Sequence, residues 1–364
     1  MKLKQSIPTI LLSLCLCLLS SCLKDAPLNL SFTSYEPKDI NDGLIISNPT
    51  DEQVDPAQLQ MVYDDVYTQE NLWPLRSLLV FRNGKFISET YLKDDQDITQ
   101  RHIIWSCTKQ VMGVLTGIAI DKGLINNIND PISAYFDSEI QNHPDKADLT
   151  IRNLLTMKSG IDYSNEEQTD EILRQIPDNS LEFILNRPIS APQGTEFHYN
   201  DGNPHLISAL IQKIAGKTTQ EFADEMLFSK IELNNYNWVK YNDGISLGGF
   251  GIETTPRELS KIALCVANKG KWKGEQVISS DWINQMTSVQ TPIENFDYSF
   301  GYFWWIDESR NIQFMWGVGG QFAFLVPNKN LVVVMTSFPN TKGEYEIQAD
   351  EALLLVDRII AAAN

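Results

Sequence analysis

The chain has 364 residues, of which 43% are hydrophobic and 21% charged, an ordinary globular balance that allows one large domain or two small ones. Its formal net charge of -18 argues against nucleic acid as a partner, because nucleic-acid binders present basic patches. The five cysteines (Cys15, Cys17, Cys22, Cys107 and Cys265) form no Cys-x-x-Cys pair, and with only four histidines (His102, His143, His198 and His205) no spacing suggests a metal site. Each histidine reads as a surface or packing residue.

Residues 1–22 are expected to lie outside the fold. Lys2 and Lys4 give a charged start, and Ile7 to Leu19 is an apolar run too short to span a bilayer well. Leu19-Ser20-Ser21-Cys22 resembles a bacterial lipobox. That resemblance implies cleavage before Cys22, diacylation of its sulfur, and a chain held by lipid in the bacterial cell envelope, outside the cytoplasm. Of the cysteines left after processing, Cys107 and Cys265 sit in apolar helical patterns and are expected to be buried free thiols.

Residues 23–71 mix Pro, Asn, Asp and Ser with little periodicity and read as a tether and extended lead-in. Leu75 to Phe81 and Lys85 to Tyr91 flank Asn83-Gly84, the strongest short hairpin signal. A helix is expected from Ser106 to about Lys122, closed by Gly123 in a left-handed cap. From about Asn126 to Met286 the chain reads as largely helical with long loops. Within it, Thr150 to Gly160 is one short helix and stop, and His205 to Ala215 is amphipathic and closed by Gly216. Thr218-Thr219-Gln220-Glu221 starts another helix as a capping box, and Thr255-Pro256 starts a third. The end returns to β: Phe300 to Trp305 reads as one strand, Gln321 to Val326 and Leu331 to Thr336 as a hairpin around Pro327-Asn328-Lys329-Asn330. Glu346 to Ala363 is a final helix. Strands at both ends with helices between predict an α+β fold. One antiparallel sheet is built from both termini (about 72–105 and 290–364), flanked by helices, with a mostly helical region (about 106–289) inserted.

The chemistry centres on Ser106-Cys107-Thr108-Lys109. Residues three apart share one face of a helix, so the Ser106 hydroxyl and the Lys109 amine can meet without help from the rest of the fold. A serine is a poor nucleophile until a neighbour takes its proton, and a helix start offers free N–H groups to a developing oxyanion. Two later stretches bear on this: Phe197-His198-Tyr199-Asn200-Asp201-Gly202 before an apolar helix, and Gly317-Val318-Gly319-Gly320-Gln321 before a strand.

In this order the three elements resemble the serine β-lactamase and penicillin-binding superfamily. The tyrosine in the middle element is similar to the class C branch, and the closest likeness is to its esterases and 6-aminohexanoate-dimer hydrolases. Leu154 to Gly160, Gly248-Gly249-Phe250-Gly251-Ile252 and Gly301-Tyr302-Phe303-Trp304-Trp305 support the likeness, which runs from about residue 72 to 338. It implies a β-lactamase/transpeptidase-like fold over 72–364 and hydrolysis of a small ester, amide or peptide through an acyl-enzyme, with neither metal nor cofactor. It also implies Ser106 as nucleophile, Lys109 as proton acceptor, Tyr199 as partner in acid–base work, and the N–H groups of Ser106 and Gln321 as the oxyanion hole. Asp201, Val318, Gly319, Gly320 and Trp305 are the implied substrate contacts, and Trp304 and Trp316 would also suit an apolar group.

Two departures stand out. Relatives commonly carry Asn or Ser where this chain has Asp201. A carboxylate there would hold Lys109 protonated, so Asp201 either points away or alters the base. Relatives carry Lys or His where this chain has Val318, a residue that cannot receive a substrate carboxylate. Penicillin-binding and β-lactamase activities are therefore the alternative readings, and a non-catalytic binding protein on the same scaffold is a third. A rival nucleophile is Ser246 in Gly244-Ile245-Ser246-Leu247-Gly248, but a nucleophile elbow needs a helix directly after it, and the next helix waits until Thr255.

Overall fold

The computed structural model describes residues 34–68, 72, 74–93, 95–169, 178–338 and 346–363. Its centre is a seven-stranded sheet. The strands are β1 (Leu75–Arg82), β2 (Lys85–Tyr91), β3 (Ser299–Phe300), β4 (Trp305–Asp307), β5 (Ile312–Gly317), β6 (Gln321–Val326) and β7 (Leu331–Ser337). The spatial order is β2-β1-β7-β6-β5-β4-β3 and every pairing is antiparallel. The strand from the first half of the chain, β1, thus pairs with the last, β7, with Val80 opposite Val333. This is the sheet from both termini that the sequence predicts.

Local chemistry explains the turns. Asn83 and Gly84 both take positive φ (53° and 73°), the backbone that a tight β1–β2 hairpin requires. All residues of β1, β6 and β7 are buried, which fits their near-continuous apolar runs. Five helices frame the sheet and the site: α1 (Pro56–Thr68), α2 (Cys107–Asp121), α3 (Gly202–Ala215), α4 (Pro256–Ala267) and α5 (Ala349–Ala362). The α4 helix lies against β6 and β7, while α2 touches β5 and α3. The end of α2 falls where expected, with Gly123 at φ 70°. Thr150, Thr218 and Thr255 all cap helix starts through their side chains.

The structure corrects three expectations. The lead-in is extended only in part. Residues 45–47 hydrogen-bond along β2 at Phe86, but Pro56–Thr68 is a helix that buries Leu59, Val62, Tyr63 and Val66 and packs on α5. The run Phe300 to Trp305 is not one strand. It breaks into β3 and β4 around a turn in which the Gly301 N–H donates to the Trp304 carbonyl at 2.8 Å and Phe303 takes φ 63°. Long-range bonds fix this turn: Phe303 N–H donates to Leu155 O at 3.0 Å, and Gln110 Nε2 donates to Phe303 O at 2.5 Å. The inserted region is also less helical than expected. Ile252–Thr254 pairs with His102–Ile103 and Tyr236–Trp238 in a small sheet that sets the approach to Ser106. Cys107 and Cys265 are buried free thiols; Cys22 and the lipobox lie outside the described residues.

Candidate active site

Ser106 stands at the start of α2, reached through a tight turn. Trp105 occupies the left-handed region at φ 48°, a conformation that costs energy in a residue with a Cβ and that collects at functional sites. The N–H groups of Cys107, Thr108 and Lys109 each donate three residues back, to Ile104, Trp105 and Ser106, at 3.1, 3.0 and 2.9 Å. The Ser106 N–H has no protein partner among the described residues. Ser106 itself is half-buried, whereas Cys107 to Ala119 are buried, so the hydroxyl is reachable at the head of an otherwise enclosed helix.

One turn along, Lys109 is fully buried. Its Nζ donates to Ser106 Oγ at 2.9 Å, to the Gly249 carbonyl at 2.7 Å, and to Asp201 Oδ1 in a short contact. An ammonium has three donors, and three acceptors surround this one. Burial pulls the Lys109 pKa down, but the Asp201 charge and Tyr199 outweigh it and hold the amine above the ordinary lysine value. Lys109 is therefore an ammonium at neutral pH, the outcome expected of a carboxylate turned toward it.

Asp201 sits at the start of α3 with both oxygens engaged. Oδ1 takes Lys109, Oδ2 accepts from Thr169 Oγ1 at 2.7 Å, and the Asp201 N–H donates to Asn165 Oδ1 at 2.8 Å. The carboxylate thus turns to the lysine. The contact requires a glycine opposite: a Cβ on Gly249 would lie 2.7 Å from the Asp201 Cβ. Asn200 points elsewhere, its Oδ1 accepting from the Asn203 N–H at 2.8 Å within α3. Asn165, Thr169 and Gln110 carry no local motif, and nothing in the sequence marks them; Gly249 stands out there only as part of a glycine-rich stretch.

Tyr199 completes the cluster. Its ring centre lies 4.8 Å from Lys109 Nζ, and Ser106 and Lys109 both act on its phenol. Burial raises its pKa, and the Lys109 charge and the neighbouring Ser106 offset this only in part. From Tyr199 an aromatic wall runs along the sheet edge: Trp305 at 5.5 Å, then Trp316 a further 5.4 Å on. Phe296 stands 5.8 Å from Trp305 and is exposed. Trp304 is fully buried in the core and plays no part in this wall.

The third element closes the site. The Cys107 thiol donates to the Gln321 carbonyl at 3.4 Å, and a Cβ on Gly317 would fall 2.3 Å from Ile104 O, so the start of β6 is pressed against the start of α2. Gly319 and Gly320 take φ 77° and 78°, values that suit glycine. The Gln321 amide braces this turn by donating to Gly319 O at 3.1 Å and Ser337 O at 2.9 Å. Val318 projects from it, 51% exposed. Ser246 fails as a rival: it is fully buried, its Oγ has no partner, and α4 begins only at Pro256.

The seven-stranded antiparallel sheet with its flanking helices is a β-lactamase/transpeptidase-like fold, and it brings Ser106, Lys109 and Tyr199 together at one place. The sequence matches the Beta-lactamase family over residues 76–358, and the chain belongs to that family. It is 24% identical over 319 residues to the 6-aminohexanoate-dimer hydrolase of Paenarthrobacter ureafaciens, covering 79% of each chain. It is 24% identical over 338 residues to the teichoic acid D-alanine hydrolase of Staphylococcus aureus, covering 81% of this chain and 79% of the relative. Among solved structures, a penicillin-binding protein homolog from Caulobacter crescentus superposes with a TM-score of 0.68 at 13% identity, over 87% of this chain and 98% of the other.

Proposed function

We propose that the protein hydrolyses an ester or a small amide that carries no carboxylate, through an acyl-enzyme on Ser106, and that it does so while anchored to the cell envelope by a lipid on Cys22. The observation that carries the first part is one hydroxyl between two groups: Ser106 Oγ stands 2.9 Å from Lys109 Nζ, and the Tyr199 ring lies 4.8 Å from the same Nζ. Ser106 attacks the carbonyl carbon, and its proton leaves through the Tyr199–Lys109 pair. Tyr199 then returns a proton to the departing oxygen or nitrogen, and water repeats the sequence to release the acid. The N–H groups of Ser106 and Gln321 receive the oxyanion. Lys109 rests as an ammonium and burial keeps Tyr199 a phenol, so the pair accepts the Ser106 proton only after losing one of its own to solvent, and the base is the singly deprotonated pair.

Val318 supports an ester over a β-lactam or a D-Ala-terminated peptide, since both of the latter bring a carboxylate that valine cannot receive. The two relatives named for a 6-aminohexanoate dimer and for teichoic acid D-alanine support hydrolysis outside the β-lactams. The lipid anchor is supported by the lipobox-like Leu19-Ser20-Ser21-Cys22. A fluorophosphonate tests the catalytic reading. It should add to the peptide bearing Ser106, and Ser106→Ala should abolish the addition. Persistence of labelling in Ser106→Ala and its loss in Ser246→Ala would transfer the role to Ser246, while no labelling of the wild-type chain would favour a non-catalytic binding protein.

A further inference from the structure

Glu346 occupies a place in the site that no motif marks. It precedes α5, and its Oε1 accepts from the Gly319 N–H at 2.7 Å. The bonded glycine lies one residue after Val318 and two before Gln321. The carboxylate therefore sits on the turn that ends in the oxyanion strand, beside the position from which Val318 projects. Its second oxygen has no protein partner among the described residues, and the side chain is half-buried. No cation balances it from the turn itself.

The surroundings are of matching character. The aromatic wall begins at Tyr199, the residue that returns a proton to the leaving group, and ends at Trp316, two residues before Val318. A leaving group that extends from Tyr199 along these rings would run toward the turn that Glu346 holds. Aromatic faces attract cations, and quaternary ammonium groups above all. The rim adds to this. Tyr298 packs 6.3 Å from Trp316; burial pushes its phenol up to about 12, and the negative charges of Asp350, Asp307 and Asp297 act in the same direction. Among the described residues Arg310 is the cation that acts on Tyr298 there, and it is already paired with Asp307 and Asp357.

We propose that Glu346 is a specificity-determining residue and that the site prefers substrates whose leaving group carries an ammonium, received by Glu346 together with the rings of Trp305 and Trp316. The inference rests on the acyl-enzyme reading above. A carboxylate stands where a substrate carboxylate would otherwise be received, so anionic leaving groups are repelled as well as unassisted. Specificity of this kind combines an attractive and a repulsive element. The expected preference for the cation over a neutral isostere is about tenfold, the range of one cation–π contact reinforced by a nearby charge.

A matched series of thioesters with one acyl group isolates the charge: butyrylthiocholine (cationic), S-(3,3-dimethylbutyl) thiobutyrate (its neutral isostere) and S-butyryl-3-mercaptopropionate (anionic). Thiol release by the full chain in detergent gives kcat/KM for each. The expected order is cationic, neutral, anionic, with the cationic-to-neutral ratio near tenfold, expressed mainly in KM. Glu346→Gln keeps an acceptor for the Gly319 N–H while removing the charge, so the ratio should fall toward one. A Val318→Lys variant should instead raise the anionic ester relative to the other two. If the neutral ester is cleaved as well as the cationic one, or if Glu346→Gln leaves the ratio unchanged, the role of Glu346 is refuted while the hydrolase stands. If none of the three is cleaved and Ser106 takes no fluorophosphonate, the hydrolase reading falls and this inference falls with it.

Discussion

Replacing Asp201 by asparagine keeps the size of the side chain and removes its charge, which makes it a direct probe of the base. The Asp201 charge raises the pKa of Lys109 and of Tyr199 alike. With the charge gone, both values fall, Lys109 the more because only Tyr199 then opposes the effect of burial on it. The magnitude follows from the contact. Two unit charges about 4 Å apart at an effective dielectric near 20 interact by about 4 kcal/mol, far more than thermal energy. Thr169 and the new amide oxygen compensate in part, so a clear downward shift is expected. The sign is fixed: activity needs the deprotonated pair, so kcat/KM rises with pH up to the raised pKa. In Asp201→Asn that acidic limb moves to lower pH. The assay is a pH profile of kcat/KM on p-nitrophenyl butyrate for wild type and variant, with controls for spontaneous hydrolysis at each pH. A limb that stays in place or moves to higher pH would refute the assignment of Asp201 as the residue that holds Lys109 charged.

Other consequences can be checked separately. Gly249→Ala would place a methyl group 2.7 Å from the Asp201 Cβ; overpacking of this kind costs about 1–3 kcal/mol, so both Tm and kcat/KM should fall, the latter by at least about tenfold, and an unchanged kcat/KM would contradict the packing. Val318 leads to faster cleavage of p-nitrophenyl butyrate than of nitrocefin or a diacetyl-Lys-D-Ala-D-Ala peptide; a tenfold advantage for either of the last two would restore a β-lactamase or penicillin-binding reading. Cys22→Ser should release the protein into the soluble fraction or block its processing, because stable anchoring needs more than one fatty chain; detergent partitioning identical to wild type would sink the anchor.

What the sequence can show is what local chemistry decides. Ser106 and Lys109 meet because helical spacing alone brings them together, and the structure has them 2.9 Å apart. The Asn83-Gly84 turn and the Thr255-Pro256 helix start are similarly local, and both form as expected. Sequence and structure part where distant contacts override local preference. Phe300 to Trp305 has strand-like residues throughout, but Leu155 and Gln110 capture Phe303 from elsewhere in the chain and bend it. The helix α1 does carry a helical period, with Leu59, Val62, Tyr63 and Val66 at i, i+3, i+4 and i+7, but the polar Pro-, Asn- and Asp-rich stretch around it masks the signal, and it packs on α5, the last helix of the chain. At the site, Asp201 is legible as a departure, but its direction depends on Gly249 and Thr169, which approach from two other segments. Glu346 is invisible in the sequence for the same reason: its meaning comes only from the Gly319 N–H that it accepts.

The central claim is that a covalent acyl group passes through Ser106. Rapid acid quench during turnover of p-nitrophenyl butyrate, followed by intact-mass and peptide mass spectrometry, measures it most directly. The expected result is a mass gain of one butyryl group, confined to the peptide containing Ser106 and Lys109 and absent from Ser106→Ala. A butyryl group on another residue, or full turnover in Ser106→Ala, would contradict it.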